Sequence, residues 1–313
     1  MPGSGSALLS ALAGACLLSA CHQAAPPISL LPDNESADLR ITEAPWEPQE
    51  RMSRRMQHLT TFIHQETGLK VRYVPAINYV HSYSLVERGE ADLILVGIFG
   101  GYRLMKRLPH AIPLVVQKPS YRMVMLGRRS WLESLPPDAQ PGLSSIEGSR
   151  VGFGSRFSGS AFMQPMLALQ EAGMDASVIA QCLHEPVQRH LPTKVANGLV
   201  DFVFVPSHNG QKKQFISESL RDELVVAWVG RSSRNDYLIS AVRPDDLRRQ
   251  EYLKQVQRAF LSLDRTSREG RAVLDAYMFP GFELPTPEFP AHTNQRIDVL
   301  LSTGEGLPTC EAS

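Results

Sequence analysis

From Leu39 the chain runs strand, loop, helix, strand, loop, helix, strand, and from Ser149 it runs through the same order again. Arg40-Ile41-Thr42 opens the first copy as a short strand ending at Pro45, and Arg150-Val151-Gly152-Phe153 opens the second. Helices follow with apolar residues at helical spacing, Met56, Leu59, Phe62 and Ile63 in one and Phe162, Met166, Leu167 and Leu169 in the other. Each stops at a glycine in a matching context, Gly68 and Gly173, as a left-handed helix terminus requires. A second helix in each copy stops at Gly89 or Gly198 and leads into Ala91 to Val96 or Val200 to Val205. These short continuous apolar runs are what a strand buried on both faces of a parallel sheet needs. The fold class is therefore α/β, with two doubly wound lobes.

Between the copies Ile112 to Val116 and Tyr121 to Leu126 read as strands, and after the second copy Leu224 to Val229 and Tyr237 to Val242 do the same. Two strand pairs between two lobes make a two-strand hinge. Helices over Leu247 to Leu263 and Glu269 to Tyr277 are expected to return to the first lobe. The division expected is 39–122 plus 235–303 for lobe 1, 123–234 for lobe 2 and 304–313 for a tail.

Residues 1–21 read as an export signal rather than as part of the fold. Ala7 to Ala20 is apolar and small, too short to span a bilayer but the right size for the h-region of a signal peptide. It ends in Leu18-Ser19-Ala20-Cys21, which resembles the lipobox of bacterial lipoproteins, with Cys21 the lipidated residue; Met1 to Ser6 carries no Lys or Arg. Residues 22–38 read as a tether. Of the 4 cysteines, at 16, 21, 182 and 310, processing leaves Cys182 and Cys310. They can pair in an oxidising compartment, and a buried thiol at Cys182 is an equal alternative.

Lys and Arg number 32 and Asp and Glu 32, so there is no long-range field to gather a polyanion, and nucleic acid is not an expected partner. No Cys/His spacing suits zinc, no Gly-x-Ser-x-Gly elbow is present, and no glycine-rich loop ends in Lys-Ser/Thr. The histidines at 81, 184, 190 and 208 show no nucleophile-plus-base spacing. No metal, no cofactor and no enzymatic activity are expected.

Ligands of open parallel sheets bind beyond the carboxyl ends of strands. That rule selects Pro45-Trp46-Glu47, Asn78-Tyr79, Gly97 to Tyr102, Ser155 to Ser160, Gln188 to His190 and Pro206-Ser207. The richest loop is Gly154-Ser155-Arg156-Phe157-Ser158-Gly159-Ser160, whose hydroxyls and backbone amides suit an oxyanion. Read alone, Ser158 or Ser160 is first of all a simple N-cap, since capping is what serines before helices usually do. Whether Pro165 sits well in the following helix depends on where that helix starts.

Leu143 to Gly154, then Ser158-Gly159-Ser160 and Pro165, resembles the phosphonate/phosphite-binding proteins of ABC importers. The opening strand Leu39 to Pro45, Tyr79, Gly89-Glu90-Ala91-Asp92, Gly97 with Tyr102, Tyr121 and Ala259 to Asp264 extend the likeness over about residues 39–300. The resemblance implies a type II periplasmic-binding-protein-like fold and an extracytoplasmic solute-binding lipoprotein. Such a protein captures a small phosphorus oxyanion (phosphonate, phosphite or phosphate) for an ABC permease and ATPase, as a membrane-anchored monomer. It implies a ligand set of Ser158, Gly159, Ser160, Tyr121, Tyr79, Tyr102, Trp46, Gln188, His190 and Ser155. Departures from the family pattern fall at Gly159, where a threonine is usual, at Met123 for a serine, at Gln188 for a histidine and at Pro206-Ser207 for an acid. The missing acid disfavours an aminoalkylphosphonate unless Glu47 beside Trp46 supplies the charge. A ligand-sensing lipoprotein feeding a signalling partner and a structural lipoprotein with a decayed cleft are the alternatives. Asp92 and Asp201, at matched turn positions, read as structural braces.

Overall fold

The structure, a computed structural model, describes residues 36–208, 216–286 and 310–312. The expected leader with Cys16 and Cys21, the tether up to residue 35 and most of the tail lie outside the described residues. The first sheet has the order β2 (Val71–Tyr73), β1 (Leu39–Glu43), β3 (Leu93–Gly97), β10 (Asp236–Ser240), β4 (Ile112–Gln117) and β11 (Phe282–Glu283). The second has the order β7 (Gln181–His184), β6 (Arg150–Phe153), β8 (Phe202–His208), β5 (Tyr121–Arg128) and β9 (Leu224–Val229), with β12 (Glu311–Ala312) beside β7. In each sheet the first three strands are parallel and the next is antiparallel.

The two sheets exchange strands. Strand β5 leaves the first copy and pairs with β8, Tyr121 opposite His208, while β10 returns from the second copy and pairs with β3, Asp236 opposite Gly97. The chain therefore crosses from the first sheet to the second after Gln117, returns after Val229, and reaches the second sheet again between Glu283 and Glu311.

The repeat is written in side chains as well as in topology. The backbone N–H of Arg40 donates to Asp92 Oδ2 at 2.8 Å, and its guanidinium returns to the same carboxylate from Nε and Nη2 at 3.0 Å each. Arg150 does the same with Asp201, at 2.9, 3.2 and 2.7 Å. Each aspartate thus ties the start of one strand to the turn that opens the strand beside it.

Both faces of each sheet are covered. Helices α1 (Gln49–Thr67), α7 (Leu247–Ser262) and α8 (Arg268–Tyr277) close one face of the first sheet around Ile41, Met56, Leu59, Phe260 and Leu274. Helices α2 (Tyr79–Glu87) and α3 (Ile98–Arg107) close the other around Tyr83, Val96, Leu104 and Ile239. Along β8, Phe202 and Phe204 enter one core and Val203 and Val205 the opposite one, the alternation that a strand imposes. Gly68 and Gly173 end their helices at φ 74 and φ 71, where a side chain would meet its own carbonyl. Cys182 on β7 is bridged to Cys310, which fastens the last described strand to the edge of the second sheet.

The helix expected around Phe162 begins differently. A π-helical turn, Gly159–Met163, precedes α5 (Gln164–Glu171), with Met163 N bonded to Ser158 O and Gln164 N to Gly159 O. Pro165, in the first turn of α5, has no N–H for the carbonyl of Ala161 four residues back. That carbonyl accepts from Gly154 N at 3.0 Å instead, which folds the strand end over the turn. Gly154 admits this approach because a Cβ there would lie 2.6 Å from Ala161 Cβ.

Candidate functional site

A cavity of about 50 Å³ lies between the two sheets, lined by Glu43, Trp46, Tyr79, Tyr121, Ser158, Gly159, Ser160, Gln188, His208, Asn235 and Asp236, among others. By the measure in which one water needs about 10–15 Å³, this is room for roughly three to five waters. An oxyanion with at most a small substituent has that size.

The second lobe supplies the two serine hydroxyls, Gln188 and Tyr121. Ser158 is 1 % exposed and caps the π-turn, its Oγ accepting from Ala161 N at 3.1 Å. The same oxygen accepts from Gln188 Nε2 at 2.8 Å and lies 3.3 Å from Ser160 Oγ. Capping and lining the cavity are thus one geometry, because the cap is what points the start of the turn inward. Tyr121, at the head of β5, is buried beside Ser160, whose hydroxyl is its hydrogen-bonding neighbour. Burial also pushes the Tyr121 and Tyr79 phenols well up, so both remain protonated donors.

From the first lobe come Trp46, Tyr79, Glu43, Asn235 and Asp236. The Tyr79 hydroxyl accepts from Gln188 Nε2 at 3.2 Å, and the Trp46 indole donates to Glu43 Oε1 at 3.3 Å. Burial pushes the Asp236 carboxyl up to about 7, with the Glu43 carboxylate adding to the rise and Arg55 opposing it. Asp236 keeps part of its surface toward the cavity while protein surrounds it on all sides, so it loses bulk solvation without being covered. Burial pushes His208 down to about 4, which leaves it neutral at physiological pH, with Ser120 Oγ 3.0 Å from its Nδ1. Among the described residues no Lys or Arg lines the cavity. The described lining offers an anion hydroxyls, amides and a carboxyl that is readily protonated. Among the described residues no group of three or more His, Cys, Asp or Glu is placed to hold a metal ion.

Of the ten ligand residues expected from sequence, Ser158, Gly159, Ser160, Tyr121, Tyr79, Trp46 and Gln188 line the cavity. Three lie elsewhere. Tyr102 is buried in the core that the second lobe shares with Phe99, and Lys106 sits over its ring at 5.2 Å. The side chain of His190 is 58 % exposed and faces Glu185 at 3.7 Å, because its neighbour Gln188 takes the inward position. Ser155 lines a larger neighbouring depression of about 330 Å³ with Asn78, Phe157 and Val187. Glu47 also faces that depression, but both of its carboxylate oxygens are engaged by arginines. It therefore offers no spare charge to an amine.

The strand-end rule does not reach Asn235 and Asp236, whereas His208 stands one residue beyond Pro206-Ser207 at the carboxyl end of β8. That rule takes the carboxyl ends of parallel strands, and β10 runs antiparallel to β3, bringing its amino end to the same edge. The register of Asp236 opposite Gly97 is the signal that finds it. The glycine at 159 also has its reason here: a Cβ would lie 2.8 Å from Phe99 Cδ2, a ring of the first lobe that fills the space of a side chain.

Two α/β lobes that enclose a small donor-lined cavity define a substrate-binding protein of the type II periplasmic class. The sequence profile of the family described as the periplasmic substrate-binding protein of the phosphonate ABC transporter matches residues 41–288. The chain belongs to that family. It is 22% identical over 140 residues to the probable ABC transporter phosphite binding protein PhnD1 of Prochlorococcus marinus, an alignment covering 44% of this chain and 46% of that protein. The chain thus aligns with less than half the length of that curated relative. The structure of PhnD1 in complex with methylphosphonate superposes with a TM-score of 0.74 at 17% identity, over 84% of this chain and 98% of that one. A binding-protein component of an ABC phosphonate transporter from Pseudomonas aeruginosa superposes at 0.66 and 14% identity, over 82% of this chain and 84% of that one. At such identities these two likenesses speak for the fold.

Proposed function

We propose that the protein captures a small phosphorus oxyanion between its lobes and presents the closed form to the permease of an ABC importer. The observation that carries this reading is the head of the π-turn. Ser158, Gly159 and Ser160 converge on a cavity of oxyanion size, with the buried Tyr121 hydroxyl beside Ser160. Hydroxyls and amides replace the water shell of the anion, and each charge-assisted hydrogen bond contributes about 1.5–3 kcal/mol. A buried donor left unsatisfied costs about 1–3 kcal/mol, so the clustered hydroxyls of Ser158, Ser160 and Tyr121 favour a shared acceptor. Both lobes contribute, so the ligand stabilises closure by its differential contacts.

The methylphosphonate held by PhnD1, a protein of the same fold, supports the ligand class. Phosphonate, phosphite and phosphate remain the candidates that fit the cavity. Lipidation at Cys21 would anchor the protein to a membrane facing the periplasm or cell exterior, with the permease and its ATPase as partners. No described helix is long and apolar enough to cross a membrane. Calorimetric titration with methylphosphonate, phosphite, phosphate and sulfate tests the ligand reading, and saturable one-to-one binding of a phosphorus oxyanion supports it. Heat changes no larger than dilution with all four at millimolar concentration would refute it. The intact mass of the membrane-extracted protein tests the anchor, which predicts a chain that starts at a diacylated Cys21.

A further inference from the structure

We infer that Arg189 is a closure latch and a positioning residue for Gln188, joining the second lobe to a charged cluster that the first lobe leaves incomplete. On the first lobe Arg55, 2 % exposed, donates from Nη2 to Glu43 Oε1 at 2.8 Å and from Nη1 to Glu47 Oε2 at 2.9 Å. Its guanidinium lies 4.5 Å from the Trp46 ring and 4.8 Å from the Tyr277 ring, which fixes it in place. Within that lobe one guanidinium therefore answers two buried carboxylates. Arg189 Nε, from the second lobe, donates to the remaining oxygen of Glu47, Oε1. With it two cations face two anions. Approach of the lobes adds this second charge-assisted hydrogen bond to Glu47, and their separation breaks it.

The latch is wired to the cavity through the adjacent residue. Gln188 N donates to the carbonyl of Trp46 at 3.1 Å, so the Gln188-Arg189 and Trp46-Glu47 dipeptides meet as a pair. Its side-chain amide then reaches Ser158 on its own lobe and Tyr79 on the other. Arg189 touches no part of the cavity. It acts by holding the backbone beside Gln188, and the account stands whatever anion the cavity takes.

The test uses the full chain as wild type, R189Q and R189K, with circular dichroism melting to show that each is folded. Small-angle scattering without ligand reads the lobe separation, and stopped-flow tryptophan fluorescence with methylphosphonate reads association and dissociation. In R189Q the radius of gyration rises and methylphosphonate leaves about tenfold faster, with association changed by less than about threefold. R189K, which keeps the charge, recovers part of both losses. Either change in R189Q, reversed in R189K, supports the latch. Unchanged scattering and dissociation in R189Q, or losses as large in R189K, would overturn it. If wild type ignores methylphosphonate, the ligand reading fails and the scattering comparison alone decides the latch.

Discussion

The side-chain amide of Gln188 donates to Ser158 Oγ at 2.8 Å and to the Tyr79 hydroxyl at 3.2 Å, so one nitrogen ties the capped turn of the second lobe to the first. The donors of the cavity and the contact between lobes are therefore one hydrogen-bonded unit. S158A removes its central oxygen. The lost cap lowers stability by about 0.5–2 kcal/mol, while affinity for the bound oxyanion falls by a larger factor, about 100-fold. Thermal unfolding without ligand and calorimetry with it separate the two effects.

Asp236 makes the site sensitive to pH. Its folded pKa of about 7 stands above the ordinary aspartate value near 3.9, so the folded chain holds the proton more tightly than the unfolded one. The resulting stabilisation is complete below about pH 4 and is lost as pH rises to about 7. Above that, the ionised carboxylate repels an anion in the cavity. The affinity of wild type for methylphosphonate relative to D236N is therefore expected to fall as pH rises from 6 to 8. Binding constants of both proteins across that range cancel the titration of the ligand itself, and parallel pH profiles would refute the role of Asp236.

Gly159 and Phe99 act as a complementary pair across the lobes. G159S drives a Cβ into the Phe99 ring, whose nearest carbon would be 2.8 Å away, and overpacking of this kind costs about 1–3 kcal/mol. Closure bears that cost, so ligand affinity drops about 10- to 100-fold with little change in the melting of the open form. F99A placed on top of G159S returns part of the affinity. A calorimetric double-mutant cycle with no coupling between the two positions would contradict the pairing.

Reduction of the Cys182–Cys310 bridge releases the last described strand from the edge of the second sheet. Removing a crosslink over a sequence separation of 128 costs about 2–5 kcal/mol by the chain-entropy argument. The bridge lies away from the cavity lining, so C182S lowers the melting temperature and leaves the dissociation constant within about twofold. Differential scanning calorimetry with and without reductant, beside ligand titration, checks both halves.

The architecture was readable because it is repeated. Matched strands, helix-ending glycines and the two aspartates at 92 and 201 carry the same local rules twice, and the Arg40–Asp92 and Arg150–Asp201 braces show why both copies keep them. The donor side of the cavity was readable too, because Ser158, Gly159 and Ser160 follow a strand in the chain itself. The acceptor side was not. Asn235 and Asp236 reach the cavity through an exchanged antiparallel strand, and nothing local in Ser233-Arg234-Asn235-Asp236 marks its register against β3. Phe99 filling the space over Gly159 is likewise a relation between lobes, which spacing along one chain does not encode. Among residues close in sequence, Gln188 and His190 differ only in which side of a short helical turn they occupy, and the turn directs Gln188 inward.

The hydroxyls of Ser158 and Ser160, at the head of the π-turn, are the proposed holders of the phosphorus oxyanion. The direct measurement is thermal unfolding of wild type and of S158A/S160A against methylphosphonate, phosphite and sulfate. For wild type, one phosphorus oxyanion at about 100 times its dissociation constant adds about 2.7 kcal/mol of stability, and sulfate adds none. For S158A/S160A, melting without ligand falls modestly and the ligand-induced rise disappears. A rise of the same size in the double variant would show that the anion is held elsewhere and would contradict the account.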